Sequence, residues 1–116
     1  MGKAHVFGFA TAERVFNLPC QFHLHMVADA TDALASAAST SLGFTTYTSN
    51  WQDIINDPAI GLVNITAPNA LHKEIALAAI AAGKHVYCEK PLAPSAHDSL
   101  EMTVAAERAG VKTQVG

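Results

Sequence analysis

Three short segments of the chain combine residue types that can move a proton or hydrogen-bond a polar ligand. Glu89-Lys90-Pro91 joins a carboxylate and an ammonium to a backbone stiffened by proline. Asp29 and Pro68-Asn69 each follow an apolar run of the length of a β-strand. Taken alone, a Glu-Lys-Pro triplet is more often an exposed charged turn than a functional site. Its meaning therefore depends on the elements that position it.

Apolar runs of strand length alternate with helical patterns along the chain. The sequence predicts helices, counted with their caps, over residues 2–16, 31–42, 49–55, 69–83 and 95–110, and strands over 21–29, 44–47, 62–67, 85–88 and 111–115. This alternation implies βαβ units and an α/β fold with a parallel, doubly wound sheet. Ligands bind outside the carboxyl ends of the strands in such sheets. Asp29, Pro68-Asn69 and Glu89-Lys90-Pro91 are therefore expected to rim one crevice.

Capping residues mark the ends of several of these helices. Thr31 and Asn69 are predicted N-caps, and Ser95 with Asp98 three residues later resembles a capping box. Three helices are predicted to end at glycine, namely Gly43, Gly83 and Gly110. The nearly continuous apolar run at 62–67 is typical of a parallel strand that is covered on both faces.

The composition excludes several classes of partner. With 116 residues, the chain is long enough for one domain. Its net charge of −3 and its pI near 6.0 provide no basic surface for nucleic acid or an anionic membrane. No apolar run approaches the ~20 residues of a membrane span, so we expect a soluble, cytoplasmic protein without a membrane partner.

The cysteines and histidines do not indicate a metal site. Cys20 and Cys88 are too few and too isolated for a zinc site or a disulfide framework. His23 and His25 share one face of a predicted strand, but two ligands without a third make a weak site, and we expect no metal. Cys88 lies within an apolar strand, where an inert packed thiol is more frequent than a nucleophile.

One series of residues resembles a known family. Ala67-Pro68-Asn69, His72 and the run from Ala82 to Ala93 are similar to the hallmark stretch of the Gfo/Idh/MocA oxidoreductases, the family of glucose-fructose oxidoreductase and inositol dehydrogenase. The resemblance implies a Rossmann-like domain that binds NAD, with NADP the less favoured cofactor. It further implies an oxidoreductase acting on the CH–OH group of a sugar, polyol or related small molecule. The parent protein of such a domain is expected to be a homo-oligomer.

The resemblance also implies roles for individual residues. Lys90 is the expected catalytic residue, binding a substrate hydroxyl and helping to transfer its proton; burial favours the neutral amine of a lysine and so suits this work. Glu89 would orient Lys90, and Pro91 follows a peptide bond that is often cis in the family. The expected cofactor-binding residues are Gly2, Asp29, Thr66, Ala67, Pro68, Asn69, His72, Glu89, Lys90 and Pro91.

Two of these cofactor-binding residues carry a specific expectation. The Asp29 carboxylate would accept hydrogen bonds from the ribose hydroxyls and repel a 2′-phosphate, which favours NAD. His72 has two open roles, support of the cofactor side and a purely structural hydrogen bond.

The chain departs from the family pattern at both ends. Gly2-Lys3-Ala4-His5 fits only the tail of the Gly-x-Gly-x-x-Gly turn, so the first strand and the first two glycines are expected upstream of Met1. A second domain that binds substrate is expected beyond Gly116. Residues 1–116 would then form a partial dinucleotide-binding domain that lacks its central strand, with unpaired edges at the strands ending near Asp29 and Ala67. We expect such a chain to be poorly stable and inactive alone.

A different class of function stays open at this point. The chain would also suit a non-catalytic nucleotide-binding or interaction module that has lost its enzymatic role. The intact Glu89-Lys90-Pro91 triplet argues against this reading, because a module without catalysis has no evident need for it.

Overall fold

A computed structural model describes residues 1–116, which divide into two compact units, Met1–Trp51 and Gln52–Gly116. The elements follow one another as α1 (Gly2–Val15), β1 (Met26–Ala28), α2 (Asp32–Leu42), β2 (Thr46–Thr48), α3 (Trp51–Asn56), β3 (Leu62–Ile65), α4 (Asn69–Ala81), β4 (His85–Cys88), α5 (Ala96–Ala109) and β5 (Thr113–Val115). The longest helices have 14 residues, and no helix is both long and apolar enough to cross a membrane.

In the first unit, α2 packs beside a two-stranded parallel sheet of β1 and β2. The Thr31 hydroxyl accepts a hydrogen bond from the Leu34 N–H at 3.3 Å and caps α2, as predicted. Gly43 ends the helix in the left-handed region, at φ +81°, where a side chain would be strained. Local sequence therefore sets both ends of this helix.

The strands of the first unit are shorter than predicted. The alternation at 21–29 predicts one long strand, but only Met26–Ala28 forms β1. Its partner β2 covers Thr46–Thr48 rather than 44–47. The alternation of polar and apolar residues indicates which side chains are exposed. The length of a strand depends instead on how many of its residues pair with the neighbouring strand. Here the N–H groups of Thr45 and Thr46 reach back to the carbonyls of Leu24 and His25, just before β1 begins.

In the second unit, β3, β4 and β5 form a parallel sheet in that order. Side chains alternate between buried and more exposed positions along β3 and β4. The core residues are mostly small or branched and come from both strands and from the two flanking helices: Val63, Ile65, Val86, Cys88, Ile75, Ala79, Met102 and Ala106. The prediction that β3 is covered on both faces is wrong, because Leu62 is 37% exposed.

The helix starts in the second unit differ from one another. Ser95 caps α5 by accepting from the Asp98 N–H at 3.1 Å, and its hydroxyl donates to Asp98 Oδ2 at 2.7 Å. The predicted N-cap Asn69 is instead the first residue of α4, and Pro68 takes the cap position without a side-chain hydrogen bond. Proline lacks a polar side chain, so the first N–H groups of α4 have no side-chain cap.

The predicted parallel α/β architecture is confirmed, with one qualification in the sheet. The strands form two sheets, one of β1 and β2 and one of β3, β4 and β5. β1 and β3 each pair with a single strand within their own sheets. β2 and β5 likewise pair with one strand each, and the expected missing central strand between β1 and β3 stays a prediction.

Candidate functional site

The second unit brings together two of the three predicted segments. β3 and β4 pair in parallel, with Ile65 opposite Cys88, and the Glu89 N–H continues the ladder by donating to the Ile65 carbonyl at 2.9 Å. The loop after β3 and the loop after β4 therefore leave the sheet at the same edge. We define these as the β3 loop, residues 66–68, and the β4 loop, residues 89–91. This edge is where parallel sheets bind ligands.

His72 joins these two loops. It lies on the first turn of α4, and its side chain is 0% exposed. Nε2 lies 2.8 Å from the carbonyl oxygen of Ala67, and Nδ1 lies 3.0 Å from the carbonyl oxygen of Pro91. Of the two roles left open by the sequence, this geometry favours hydrogen-bonded support of the loops.

Glu89 holds the backbone of the β4 loop. It is only 7% exposed, and its Oε2 accepts a hydrogen bond from the Lys90 N–H at 3.0 Å. On its other side, a Cβ added to Gly116 would lie 2.8 Å from Glu89 Oε1. The Gly116 N–H meanwhile donates to the Cys88 carbonyl at 2.9 Å. Gly116 is thus a residue of the site that sequence reasoning missed, since only the folded chain shows how closely the two approach.

Lys90 and Pro91 are both exposed in the β4 loop, and the peptide bond between them is cis. The side chains around it do not bury its ammonium. The burial that suits a proton-transferring lysine is therefore not supplied by residues of this chain.

Asp29 and Gly2 lie in the first unit. Asp29 follows β1 directly, and its N–H donates to the Thr48 carbonyl at 3.2 Å. The carboxylate is exposed, with Oδ1 accepting from the Ala30 N–H at 2.7 Å. This places an oriented anion just before the capped start of α2. Gly2 is the first residue of α1.

Cys88 sits beneath this site but takes no part in its exposed surface. Its side chain is 1% exposed, and burial, together with the neighbouring charge of Glu89, raises the pKa of the thiol to about 11. The thiolate is the reactive form of cysteine. The prediction of an inert packed thiol agrees with this environment.

An ion-pair network links α4 to α5 away from the two loops. Lys73 Nζ lies 2.6 Å from Asp98 Oδ1 and 2.7 Å from Glu101 Oε2. The hydrogen bond from Lys73, with a second from Ser95, lowers the pKa of Asp98 below its ordinary value. The carboxylates of Asp98 and Glu101, with His97, are close enough to share a cation, but here the ammonium of Lys73 contacts both carboxylates. No sequence signal links Lys73 to Asp98, which lies 25 residues further along the chain.

The predicted histidine pair does not gather further ligands. The rings of His23 and His25 lie with their centroids 6.0 Å apart, and His23 Nε2 lies 3.2 Å from the Thr45 hydroxyl. Neither histidine belongs to a group of three potential metal ligands.

Comparison with known proteins gives a consistent result. The sequence model of an oxidoreductase family with an NAD-binding Rossmann fold, Gfo/Idh/MocA, matches residues 2–116. A levoglucosan dehydrogenase from Pseudarthrobacter phenanthrenivorans is 45% identical over 103 residues, which are 88% of this chain and 26% of that protein.

Solved structures agree with this match. A crystal structure of an NAD-binding oxidoreductase from Klebsiella pneumoniae is 46% identical, with a TM-score of 0.95, over 100% of this chain and 31% of that one. A levoglucosan dehydrogenase in complex with NADH and levoglucosan is 40% identical, with a TM-score of 0.95, over 99% of this chain and 31% of that one. The chain thus spans less than a third of the length of these relatives.

Proposed function

Because the chain belongs to the Gfo/Idh/MocA family of oxidoreductases with an NAD-binding Rossmann fold, we propose that it is part of the nucleotide-binding region of an NAD-dependent dehydrogenase. The substrate would carry a secondary alcohol, as in a sugar, polyol or related compound. Similarity to a levoglucosan dehydrogenase whose structure holds NADH and levoglucosan supports this substrate class. Residues 1–116 would be a partial domain. A second domain and a homo-oligomeric parent stay predictions, as does the inactivity of the chain alone.

The observation that carries the proposal is the pairing of two loops at one sheet edge. The β3 loop leads into α4, whose first N–H groups have no side-chain cap. The β4 loop presents the exposed Lys90. A polar ligand that accepts hydrogen bonds from the start of α4 would therefore lie beside a lysine ammonium. NAD, when bound, would supply the chemistry by exchanging a hydride with the carbon of the CH–OH group.

The residues of the chain would contribute binding and proton transfer. The Nζ of Lys90 would hydrogen-bond the substrate oxygen and hold or release the proton that accompanies the hydride. Glu89 would keep the backbone of Lys90 in place through its hydrogen bond to the Lys90 N–H. Since Lys90 is exposed here, its enclosure would have to come from the bound cofactor and substrate and from further protein surface.

Asp29 would select the cofactor. Its exposed carboxylate can accept hydrogen bonds from both hydroxyls of the adenosine ribose, and its charge would repel the 2′-phosphate of NADP. The residues that follow, Ala30 and Thr31, carry no positive charge to offset that repulsion. The residues present therefore fit NAD better than NADP.

The test is an NADH titration of the ¹⁵N-labelled chain, followed through backbone amide signals. NADH at millimolar concentration should shift amides near Asp29 and at the start of α4. Asp29→Ala should weaken NADH binding by about tenfold or more, the equivalent of one lost hydrogen bond to a charged group. The same variant should narrow the preference for NADH over NADPH.

Asp32→Ala is the matched control, because it removes the same charge from an exposed position three residues along. An equal loss of NADH affinity in both variants would show only a general effect of charge. The absence of any NADH-dependent shift in the unaltered chain would refute nucleotide binding by these residues.

A further inference from the structure

We propose that His72 is a positioning residue that holds the β4 loop, and with it Lys90, at a fixed spacing from the β3 loop. This proposal rests on the function proposed above, in which Lys90 binds the substrate and the β3 loop lies beside the cofactor. It goes beyond that function by assigning the spacing between them to one buried side chain.

The first step is the geometry of the ring. His72 is fully buried, and its two nitrogens face two backbone carbonyls in different loops, Ala67 at 2.8 Å and Pro91 at 3.0 Å. These partners lie five residues before and 19 residues after the histidine. A single side chain thus spans the two loops that the sheet brings side by side.

The second step is the chemistry of the contacts. A carbonyl oxygen only accepts, so a ring nitrogen can bond to its partner only by donating an N–H. Either neutral tautomer of His72 donates to one carbonyl, whereas the doubly protonated ring donates to both. Among the 20 side chains, only histidine has two ring nitrogens that can each donate an N–H, and they point in different directions. Loss of a hydrogen-bond partner in these part-buried contacts costs free energy, so replacement by an apolar ring is unfavourable.

The third step is what the contact does to Lys90. The Lys90 N–H is held by Glu89 Oε2 at 3.0 Å. Pro91 has no N–H, so its carbonyl is the one backbone polar group through which it can be tied, and His72 binds that group. The backbone is therefore fixed on both sides of the Lys90 side chain. Only the flexible stem of the lysine is left to adjust to a substrate.

Amide substitutions separate the two contacts. The side-chain amide of asparagine stands near the position of Nδ1, and that of glutamine near the position of Nε2. His72→Asn should therefore keep the contact to Pro91 and lose the contact to Ala67, and His72→Gln should do the reverse. His72→Phe keeps a buried ring and loses both contacts. His97→Asn serves as control, because the His97 side chain is 85% exposed.

The experiment compares backbone amide spectra of the ¹⁵N-labelled chain without cofactor. In His72→Asn the amides of Lys90 and Leu92 should stay near their original positions, while that of Asn69 moves. In His72→Gln the amides of Lys90 and Leu92 should move, while that of Asn69 stays. A general packing role would not produce this split, so equal perturbation of both loops by both variants would overturn the proposal.

A second arm adds NADH to the same samples. If His72 couples the loops, the NADH-induced shift of the Lys90 amide should fall at least twofold in His72→Gln and persist in His72→Asn. Should the unaltered chain show no response to NADH, the proposed function fails, while the cofactor-free spectra still decide the role of His72. An undiminished Lys90 response in both variants would contradict the coupling.

If neither amide variant folds, the ring of the unaltered chain decides the question. Two slowly exchanging ring N–H signals from His72 would support the contact to both carbonyls. A single slowly exchanging ring N–H signal, or none, would overturn it, because one of the two loops would then lack its hydrogen bond.

Discussion

Lys84 is expected to stabilise the second unit more than any exposed lysine of the chain. Its side chain is only 5% exposed, and its Nζ donates to the carbonyls of Asp57 and Ile60, each at 2.7 Å. These carbonyls belong to the segment between α3 and β3, where the Ile60 N–H also bonds back to the Asp57 carbonyl. A buried ammonium thus closes this segment.

The size of the effect follows from these two contacts. Hydrogen bonds to a charged group contribute about 1.5–3 kcal/mol each, so two contribute about 3–6 kcal/mol. In Lys84→Met the thioether keeps much of the buried stem, and the freed carbonyls regain some water. We therefore expect the free energy of unfolding to fall by roughly 3 kcal/mol, near the lower end of that sum. This is a large share of the 5–15 kcal/mol typical of a small domain.

The assay is urea and thermal unfolding followed by circular dichroism. Lys84→Met should lower the Tm by about 10 °C or more. Lys112→Met is the control, since it removes the same charge from an exposed side chain and should change the unfolding free energy by about 0.5 kcal/mol or less. Equal stability of the two variants would show that the buried contacts of Lys84 do not hold this segment.

Two further predictions concern thiol reactivity and acid. In the folded chain at pH 8, a thiol reagent should modify the exposed Cys20 and spare Cys88. Burial and a pKa of about 11 leave Cys88 with little accessible thiolate. In Cys20→Ser, labelling should therefore be absent until urea unfolds the chain. The pKa of Asp98 is lowered by Lys73 and Ser95, so its contribution to stability is present above the ordinary carboxyl pKa of ~3.9 and lost as the pH falls through the lower folded value. Urea midpoints measured from about pH 5 to about pH 2 should therefore fall more steeply for the unaltered chain than for Asp98→Asn, and parallel curves would refute the ion pair.

Both ends of α2 and both ends of α5 were predictable because their determinants are local, whereas α4 begins after Pro68 rather than Asn69 and has Ala82 rather than Gly83 at its C-cap. Thr31 caps α2, Gly43 ends it with a positive φ, and Ser95 caps α5, all as the sequence indicates. Each signal is a hydrogen bond or a backbone preference within four residues of the helix end. The strand ends were not predictable in the same way, because β1 stops where its pairing with β2 stops.

The residue types of the candidate site are recognisable in the sequence, but the contacts among them are not. The Glu-Lys-Pro triplet and the residues after β3 are recognisable by type and spacing. The partners of His72 are backbone carbonyls, which every residue has, so no residue type marks Ala67 or Pro91 as an acceptor. The closeness of Gly116 to Glu89 likewise depends on how β5 lies beside β4. Sequence patterns identify the chemical groups of the site, whereas the distances between those groups depend on how the strands and helices pack.

The register of β3 against β4 connects core packing to the spacing of the site. Val63 pairs with Val86 and Ile65 with Cys88, and all four side chains are buried. A slip of one residue would turn one strand's buried side chains toward its more exposed face, so the core strongly disfavours it. The same register sets where the β3 and β4 loops leave the sheet. Apolar packing therefore brings the two loops side by side, and the proposed role of His72 is to fix their spacing beyond the end of the sheet.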